Sequence, residues 1–570
     1  MATSDTRLAI ERPRRRARSV PLLGAALLAL ASASRAQNPR TTRISVDSSG
    51  GQANGASGTE SISADGRFVI FTSNANNLVT GDANVYCDVF VHDRITHVTE
   101  CESVDPTGAT GNGDCSVFKV PTISADGRYA LFESDATNLT GGTVSSGQMY
   151  LRDRSTATTE VVSTGIWGAG NGVSDHGTVT TDGSLVAFCS TSDNLVWGDS
   201  NLVEDIFLRD RVAGTTTRIS LSPKGFQTNL RSALPKITPD GRFVVFWSYA
   251  SNLVNGDTNA TTDVFVYDVS AGTIERDSVD SSGAEANGWS ELGSISADGR
   301  FVAFDSAATN LVSGDTNGAA DIFVHDRTTG VTERVSVDSA GVEADRSSTV
   351  ASLSSDGRFV AFQSSATNLV SGDTNGREDI FVHDRSTGTT TRVSVDSNGT
   401  EANADSHRTR ISGSGAAVAF QSFASNLVSG DTNNCADMFV NGSDFAAWTN
   451  YGAGFPGTHG VPAFTSSGDP TLGTTITLDL ANSSGVPTSG LLFAGVQRAT
   501  LHTNRGGDLL LLPLLALPIT FAYGGNQYFW SIPADATLAG LTIDLQAVEA
   551  DAGAALGVSF TPGLELAVGF

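Results

Sequence analysis

Lysine is almost absent from this chain, and 35 Lys and Arg together stand against 61 Asp and Glu, a formal net charge of −26. A surface so short of cations repels phosphate backbones and anionic lipid. Nucleic acid and membrane surfaces are therefore not expected as partners, while cations are attracted. Long apolar runs are lacking as well. "VPLLGAALLALASA" near the N-terminus is too short to span a bilayer comfortably, and "LLLLPLLALPITF" near the C-terminus is broken by proline. What is abundant is Gly, Ser, Thr, Asn and Asp, a composition that favours strands joined by turns over helices.

The first 36 residues read as a targeting segment. Arg12, Arg14, Arg15, Arg16 and Arg18 form a basic region, the apolar stretch follows, and "SRA" ending at Ala36 is a small-x-small cleavage signal. We expect a secretory signal peptide over 1–36, a mature chain beginning at Gln37, and a secreted product, extracellular, at the cell surface or periplasmic, with no membrane insertion after cleavage. Removing the seven Arg and two acidic residues of 1–36 leaves 28 basic against 59 acidic side chains. The mature chain is thus more acidic still. Of its five cysteines one stays unpaired if the others bridge, and Cys101 and Cys115, which flank a glycine-rich loop, are the expected pair.

A turn recurs along the chain. Asp65 in "SISADGRFVIF", Asp126 in "TISADGRYALF", Asp182 in "TVTTDGSLVAF", Asp240 in "KITPDGRFVVF", Asp298 in "SISADGRFVAF" and Asp356 in "SLSSDGRFVAF" are followed by a decayed copy in which Ser414 replaces the aspartate. The intervals are 61, 56, 58, 58, 58 and 58 residues. Seven copies at so regular a period signal a closed array or a solenoid. Each unit holds four strand-like segments, the middle two apolar on consecutive residues, as when both sheet faces are covered. That is a propeller blade. The seventh unit lacks a fourth strand, and "TTRISVDSSG" at residues 41–50 matches "TTRVSVDSNG" at 390–399. The N-terminal strand is expected to complete the last blade and latch the ring.

The "S-x-DG-[RK]-x-[IV]-x-F" turn followed by an "[IV]-[FY]-V-x-D" strand resembles the TolB-type, WD-related propeller repeats of exported bacterial proteins. The resemblance covers about residues 41–442 and implies a fold, since propellers host binding scaffolds and enzymes alike. After residue 446 the acidic loops give way to "ITLDL", "GLLFAGV", "LTIDLQAV" and "LELAVGF". "YGAGFPGTHGVPAFTSSGDPTLGTTITLDLANSSG" is similar to the start of a C-terminal β-sandwich module of exported multidomain bacterial proteins. The expected class is all-β: a seven-bladed β-propeller over 37–445, closed by an N-terminal strand, and a small β-sandwich domain over 446–570.

One loop carries the candidate chemistry. "NLVSGDTNGREDIFVHDR" places Asp373, Asn375 and Asp379 at i, i+2 and i+6. The triad recurs as Asp82, Asn84 and Asp88, as Asp199, Asn201 and Asp205, and as Asp257, Asn259 and Asp263. It appears again as Asp315, Asn317 and Asp321, and as Asp431, Asn433 and Asp437. Repeat two has lost it. Two carboxylates and an amide oxygen, with loop carbonyls and water, fit calcium. The same residue types tie Asx turns without metal. Both readings make them stabilisers of loops, because a site copied six times around a ring has no unique reaction centre.

His92, His325 and His383 all lie in "FVHDR" and read as structural strand positions, and aspartates such as Asp326 and Asp384 as turn caps. No "GxSxG" elbow occurs, and "SADGRF" lacks the residue that a sialidase Asp-box places between Asp and Gly. The functional expectation is an exported non-enzymatic scaffold for a protein or glycan partner. The competing class is a glycan hydrolase or lyase on the propeller, using irregular residues around "STGIWGAGNGVSDHG", with Trp167, Asp175 and His176. A cluster peculiar to one blade and converging on the channel would mark it.

Overall fold

The computed structural model describes residues 18–19, 40–115, 120–141, 144–442, 447–451, 453–467, 474–495, 498–503, 508–523, 525–532, 542–554 and 556–567. Among them the chain is all-β, with no helix. Two compact units form, Arg40–Gly442 and a second made of Ser443–Phe570 with Met1–Pro39.

Repeat six shows how the sequence makes a sheet. Ser348–Leu353, Phe359–Ser364, Asp379–Asp384 and Thr389–Arg392 pair in that order as an antiparallel four-stranded sheet. The first turn closes because Asp356 Oδ1 accepts from Ser354 Oγ (2.6 Å) and from the Arg358 backbone N–H (3.0 Å), while Gly357 takes a φ of 73°. Val360, Ala361 and Phe362 are all fully buried although consecutive residues face opposite sides of a strand. Both faces of the sheet are therefore covered. Phe362 stacks across the strands on Phe381 at 5.9 Å, and the same pair recurs as Phe304 with Phe323 and Phe71 with Phe90. Such pairs add about 0.5–1.5 kcal/mol each beyond their buried area.

Neighbouring sheets interlock at the "DGRF" turn. The Phe301 ring of repeat five lies between its own Arg300, 4.6 Å away, and Arg385 of repeat six, 4.3 Å away. A Cβ on Gly357 would fall 2.3 Å from the same ring, so only glycine fits that approach.

The other repeats follow this plan, with four-stranded sheets starting at Ser57, Thr122, Ser174, Ser232 and Ser290. In repeat seven Ser406–Ile411, Ala417–Ser422 and Asp437–Gly442 supply three strands, and Arg40–Arg43 takes the fourth place, Arg43 opposite Phe439. Backbone bonds from Ser57 N–H to the Ala436 carbonyl and from Ser414 N–H to that of Ala64 join repeat seven to repeat one. These are the repeats of a β-propeller.

In the second unit one sheet contains Phe464–Ser467, Thr475–Leu480 and Asn526–Ser531, with Arg18–Ser19 pairing parallel to Tyr528–Phe529. The other runs through Ala447–Tyr451, Gly563–Ala567, Thr542–Ala550, Thr488–Gly495 and Leu515–Phe521, with Val558–Phe560 pairing beside Thr542–Ala550. Ile476, Leu478 and Trp530 of the first share a buried core with Leu492, Ile543 and Leu545 of the second. The expected signal peptide lies, apart from Arg18 and Ser19, outside the described residues. No described helix is long and apolar enough to cross a membrane.

Candidate functional site

A repeated kink builds the cavity of the propeller. In six of the repeats the first strand slips its register at a β-bulge, between Ala233 and Lys236 in repeat four and between Glu291 and Ser294 in repeat five. The bulge holds one residue in left-handed conformation: Thr59, His176, Leu234, Leu292, Val350 and Arg408, with φ from 43° to 59°. For β-branched Thr59 and Val350 this is a strained state. The bulge re-aims side chains, and His176, Leu234, Leu292, Val350 and Arg408 all line one cavity of about 670 Å³, joined there by Ser57 of repeat one and Val120 of repeat two. Every repeat contributes to its wall.

The wall is charged, and unlike the surface it is cationic. Arg408, Arg410 and His407 line the cavity, and Lys236 lines a small recess beside it. Burial lowers Lys236 to about 7, with Arg410 adding to the effect, while nearby Asp305 opposes it. The acids close to these groups carry their protons up to neutral pH. Burial raises Glu60 to about 8 against the pull of Arg410 and Arg408, and Asp305 to about 7. Neither carboxyl oxygen of Glu60 has a hydrogen-bond partner. The basic side chains thus face acids whose charged form burial disfavours.

The loop triads lie at the passage from the second to the third strand, at the end of the sheet termed the rim, and in all six the asparagine is tied to the aspartate the same way. Asn375 Nδ2 donates to Asp379 Oδ2 (3.0 Å) and its Oδ1 accepts the Arg377 N–H (2.8 Å), an Asx turn. Ser394 Oγ donates to Asp379 Oδ1 (2.5 Å). Arg392 sets Nη1 3.4 Å from Asp373, 3.3 Å from Asp379 and 2.9 Å from Glu401. Arg334 holds Asp315, Asp321 and Glu343 alike, and Arg276 holds Asp263 and Glu285. Arg218 reaches Asp199 at 2.9 Å and Asp205 at 3.4 Å, and Arg43 reaches Asp431 at 3.6 Å and Asp437 at 3.7 Å. The amides of Asn84, Asn201, Asn259, Asn317 and Asn433 likewise donate to Asp88, Asp205, Asp263, Asp321 and Asp437. The asparagine thus presents nitrogen, not oxygen, to the aspartate. Burial still raises the carboxyls of Asp315, Asp321, Asp373, Asp379 and Asp437, and lifts Asp257 to about 6. One guanidinium among up to three carboxylates leaves negative charge in excess.

Two repeats depart from the pattern. Repeat two carries Gln148 in place of the aspartate, and Val161 at the position facing Tyr150 where other repeats place the arginine. Charge and countercharge are lost together. Repeat one keeps the acids and loses the cation: Cys101 faces Phe90 as Arg334 faces Phe323. Burial there pushes Asp88 to about 6, and Asp82 Oδ1 is buried without a hydrogen-bond partner.

The expected Cys101–Cys115 bridge is not formed, and all five cysteines are free. The Cys115 thiol turns to Ser134 Oγ (3.4 Å) and the Cys101 sulfur to Ser103 Oγ (3.5 Å), so each sits in a polar contact of its own sheet. His92, His325 and His383 bond to Thr99, Thr332 and Thr390 at 2.8–2.9 Å, buried strand positions. Asp326 and Asp384 accept turn N–H groups and also pair, through both oxygens, with Arg300 and Arg358.

Asp175 and His176 are brought together beside the cavity, and two residues missed in the sequence, Cys189 and Glu204, join them. Trp167 stands apart from them, 52% exposed, edge-on to Trp197 at 4.5 Å. Aligning the four strands of each repeat residue by residue, rather than the turns alone, is the signal that would have found Cys189 and Glu204. Glu285, Glu343 and Glu401, in the links between repeats, were missed as members of the rim sites for the same reason.

No family model matches the chain, and no curated protein matches it. Solved structures similar to it include TolB from Acinetobacter baumannii, 15% identical over 58% of this chain and 64% of that one, TM-score 0.33. A puromycin-hydrolyzing peptidase of Mycobacterium tuberculosis is 10% identical over 78% and 61%, TM-score 0.42. An ancestral GH74 enzyme is 12% identical over 69% and 48%, TM-score 0.37. The chain spans less than two thirds of each of these three structures.

Proposed function

We propose that this protein is an exported, non-enzymatic binding scaffold: a seven-bladed β-propeller closed by its N-terminal strand, followed by a β-sandwich, with residues 1–36 removed as a signal peptide. The observation that carries the reading is the contrast between rim and cavity. The rim repeats one motif in six blades, whereas the bulges bring His176, Leu234, Leu292, Val350 and Arg408, an imidazole, three aliphatic chains and a guanidinium, to one cavity. Dissimilar groups around one cavity of about 670 Å³ make a recognition surface, and that volume is in the range of small-ligand sites. Arg408, Arg410 and Lys236 favour an anionic occupant, and an acidic glycan segment fits an exported, otherwise acidic protein. Incubation with acidic and neutral oligosaccharides tests this: acidic ones retained intact support it, and shortened products or no retention reject it.

Calcium belongs to the rim in this reading, supplementing the guanidinium in the blades that have one and replacing it in blade one. Chelation then lowers the melting temperature, and calcium restores it better than magnesium, which demands tighter octahedral geometry.

A second reading has one observation in its favour. Among the described residues the cluster of Asp175, His176, Cys189 and Glu204 occurs in blade three alone, and His176 reaches the cavity wall, as a glycan-active enzyme would require. Product formation in the same incubation decides for it.

A further inference from the structure

The repeat supplies an internal control for the blade-three cluster. Asp175 faces Cys189 across the first strand pair, His176 is the left-handed residue at the bulge, and Glu204 immediately precedes the third strand. The same register in blade four holds Ala233, Leu234, Trp247 and Thr262. Among the described residues a thiol, an imidazole and two carboxylates meet in blade three and not in blade four, although the bulged pairing is the same in both.

One ligand atom from each of the four lies within 4.8 Å of all the others. Cys189 Sγ is 2.8 Å from Asp175 Oδ1, and His176 Nδ1 is 3.1 Å from the same oxygen. Cys189 is wholly enclosed. Two separate observations point inward. His176 Nδ1 is buried and lacks a correctly directed hydrogen bond. The four groups also carry more acid than base: Arg231 donates to Glu204 Oε2 at 2.5 Å, beside two carboxyls and a thiol. With a thiolate, two carboxylates and a neutral imidazole the set carries three negative charges. A divalent ion and Arg231 together balance them.

We propose that Asp175, His176, Cys189 and Glu204 bind a divalent transition metal of the zinc class at the cavity wall of blade three. Sulfur and imidazole nitrogen select zinc, cobalt or their like over calcium and magnesium, which take oxygen donors. The ion displaces the thiol proton of Cys189 to solvent, so the Sγ–metal bond forms as the S–H bond breaks heterolytically, with no change of oxidation state. The site differs from the rim triads in place and in donor chemistry.

Cobalt(II) and zinc(II), each added alone to the dialysed mature protein, test the assignment. We expect one equivalent bound at this site, a sulfur-to-cobalt charge-transfer absorption, and displacement of cobalt by zinc. Cys189→Ser abolishes the absorption, whereas Cys435→Ser leaves it unchanged. His176→Gln, at a partly exposed side chain, keeps the fold if Cys189→Ser does not, and weakens cobalt binding more than about tenfold. No stoichiometric binding, an absorption that survives Cys189→Ser, or undiminished affinity in a folded His176→Gln protein overturns the proposal. Calcium competing equally with zinc would also overturn it.

Discussion

Arg392 places one guanidinium nitrogen 3.3 Å from Asp379 and 3.4 Å from Asp373, inside a loop whose acids alone suggest a metal. The positive charge comes from the fourth strand of the same blade, 13 residues beyond Asp379. Replacing Arg392 by Met leaves buried carboxylates uncompensated, and we expect a loss of about 3–5 kcal/mol. Denaturant unfolding measures it. Added calcium should recover part of that loss, and a loss under about 1 kcal/mol would show the guanidinium to be dispensable.

Blade one makes the complementary prediction. With Cys101 where an arginine would stand, the Asp82 and Asp88 loop depends most on an added cation. Asp88→Asn should remove one calcium from protein analysed after dialysis and blunt the calcium response of the melting temperature. Removing Asp379 instead should change that response less. An equal effect of both variants, or no calcium in either, would contradict it.

The N-terminal strand is predicted to act as a latch. Thr41 Oγ1 donates to the Val395 carbonyl (2.5 Å), Asn441 Nδ2 donates to Thr41 Oγ1 (2.9 Å), and Ser45 Oγ donates to Asp437 Oδ1 (2.6 Å). Starting the chain at Ser48 removes all three, the Arg40–Arg43 ladder and the buried Ile44, exposing an edge strand and the core residues Met438 and Val440 that Ile44 packs with. We expect a loss of several kcal/mol. A truncated protein that melts with the full mature chain would contradict it.

His92 is buried, bonded to Thr99, and pushed down to about 4, chiefly by burial. Its neutral ring is compatible with the fold above the unfolded value near 6.5. As pH falls from there toward 4 the unfolded chain gains a proton that the folded chain refuses, so stability declines. His407, raised by its bond to Glu378, works in the opposite direction. The comparison is therefore wild type against His92→Gln: unfolding free energies at about pH 7 and pH 5 should converge in the variant, by at most about 2 kcal/mol. An unchanged slope would contradict the burial argument.

The repeated sheets were legible because their signals are local. An Asp-Gly turn, a consecutive apolar run and a Thr/Val-rich strand can each be read within ten residues, as "SSDGRFVAF" shows in blade six. The strand match at residues 41–50 also disclosed the pairing of the N-terminus with Asp437–Gly442, because a missing strand and a spare one carry the same residues. The sites were less legible. Asp373, Asn375 and Asp379 stood out by spacing, but Arg392 and Glu401 reach them only after the fourth strand and the link fold back. The residues that line the cavity escaped notice, since a bulge does not show in hydrophobic periodicity and Leu234, Val350 and Arg408 carry no common motif. Asp175 and His176 were visible as an irregular patch, whereas Cys189 lay inside an apolar strand that hides its thiol.

The central claim is that recognition belongs to the cavity and stability to the rim. Retention of acidic oligosaccharides should be compared among the wild type, Arg408→Ser and Asp373→Asn, with fold checked by melting. We predict that acidic oligosaccharides are retained intact by the wild type and by Asp373→Asn, and that Arg408→Ser loses at least about tenfold in affinity, since one charged contact is worth about 1.5–3 kcal/mol. Retention lost in Asp373→Asn but kept in Arg408→Ser would contradict it.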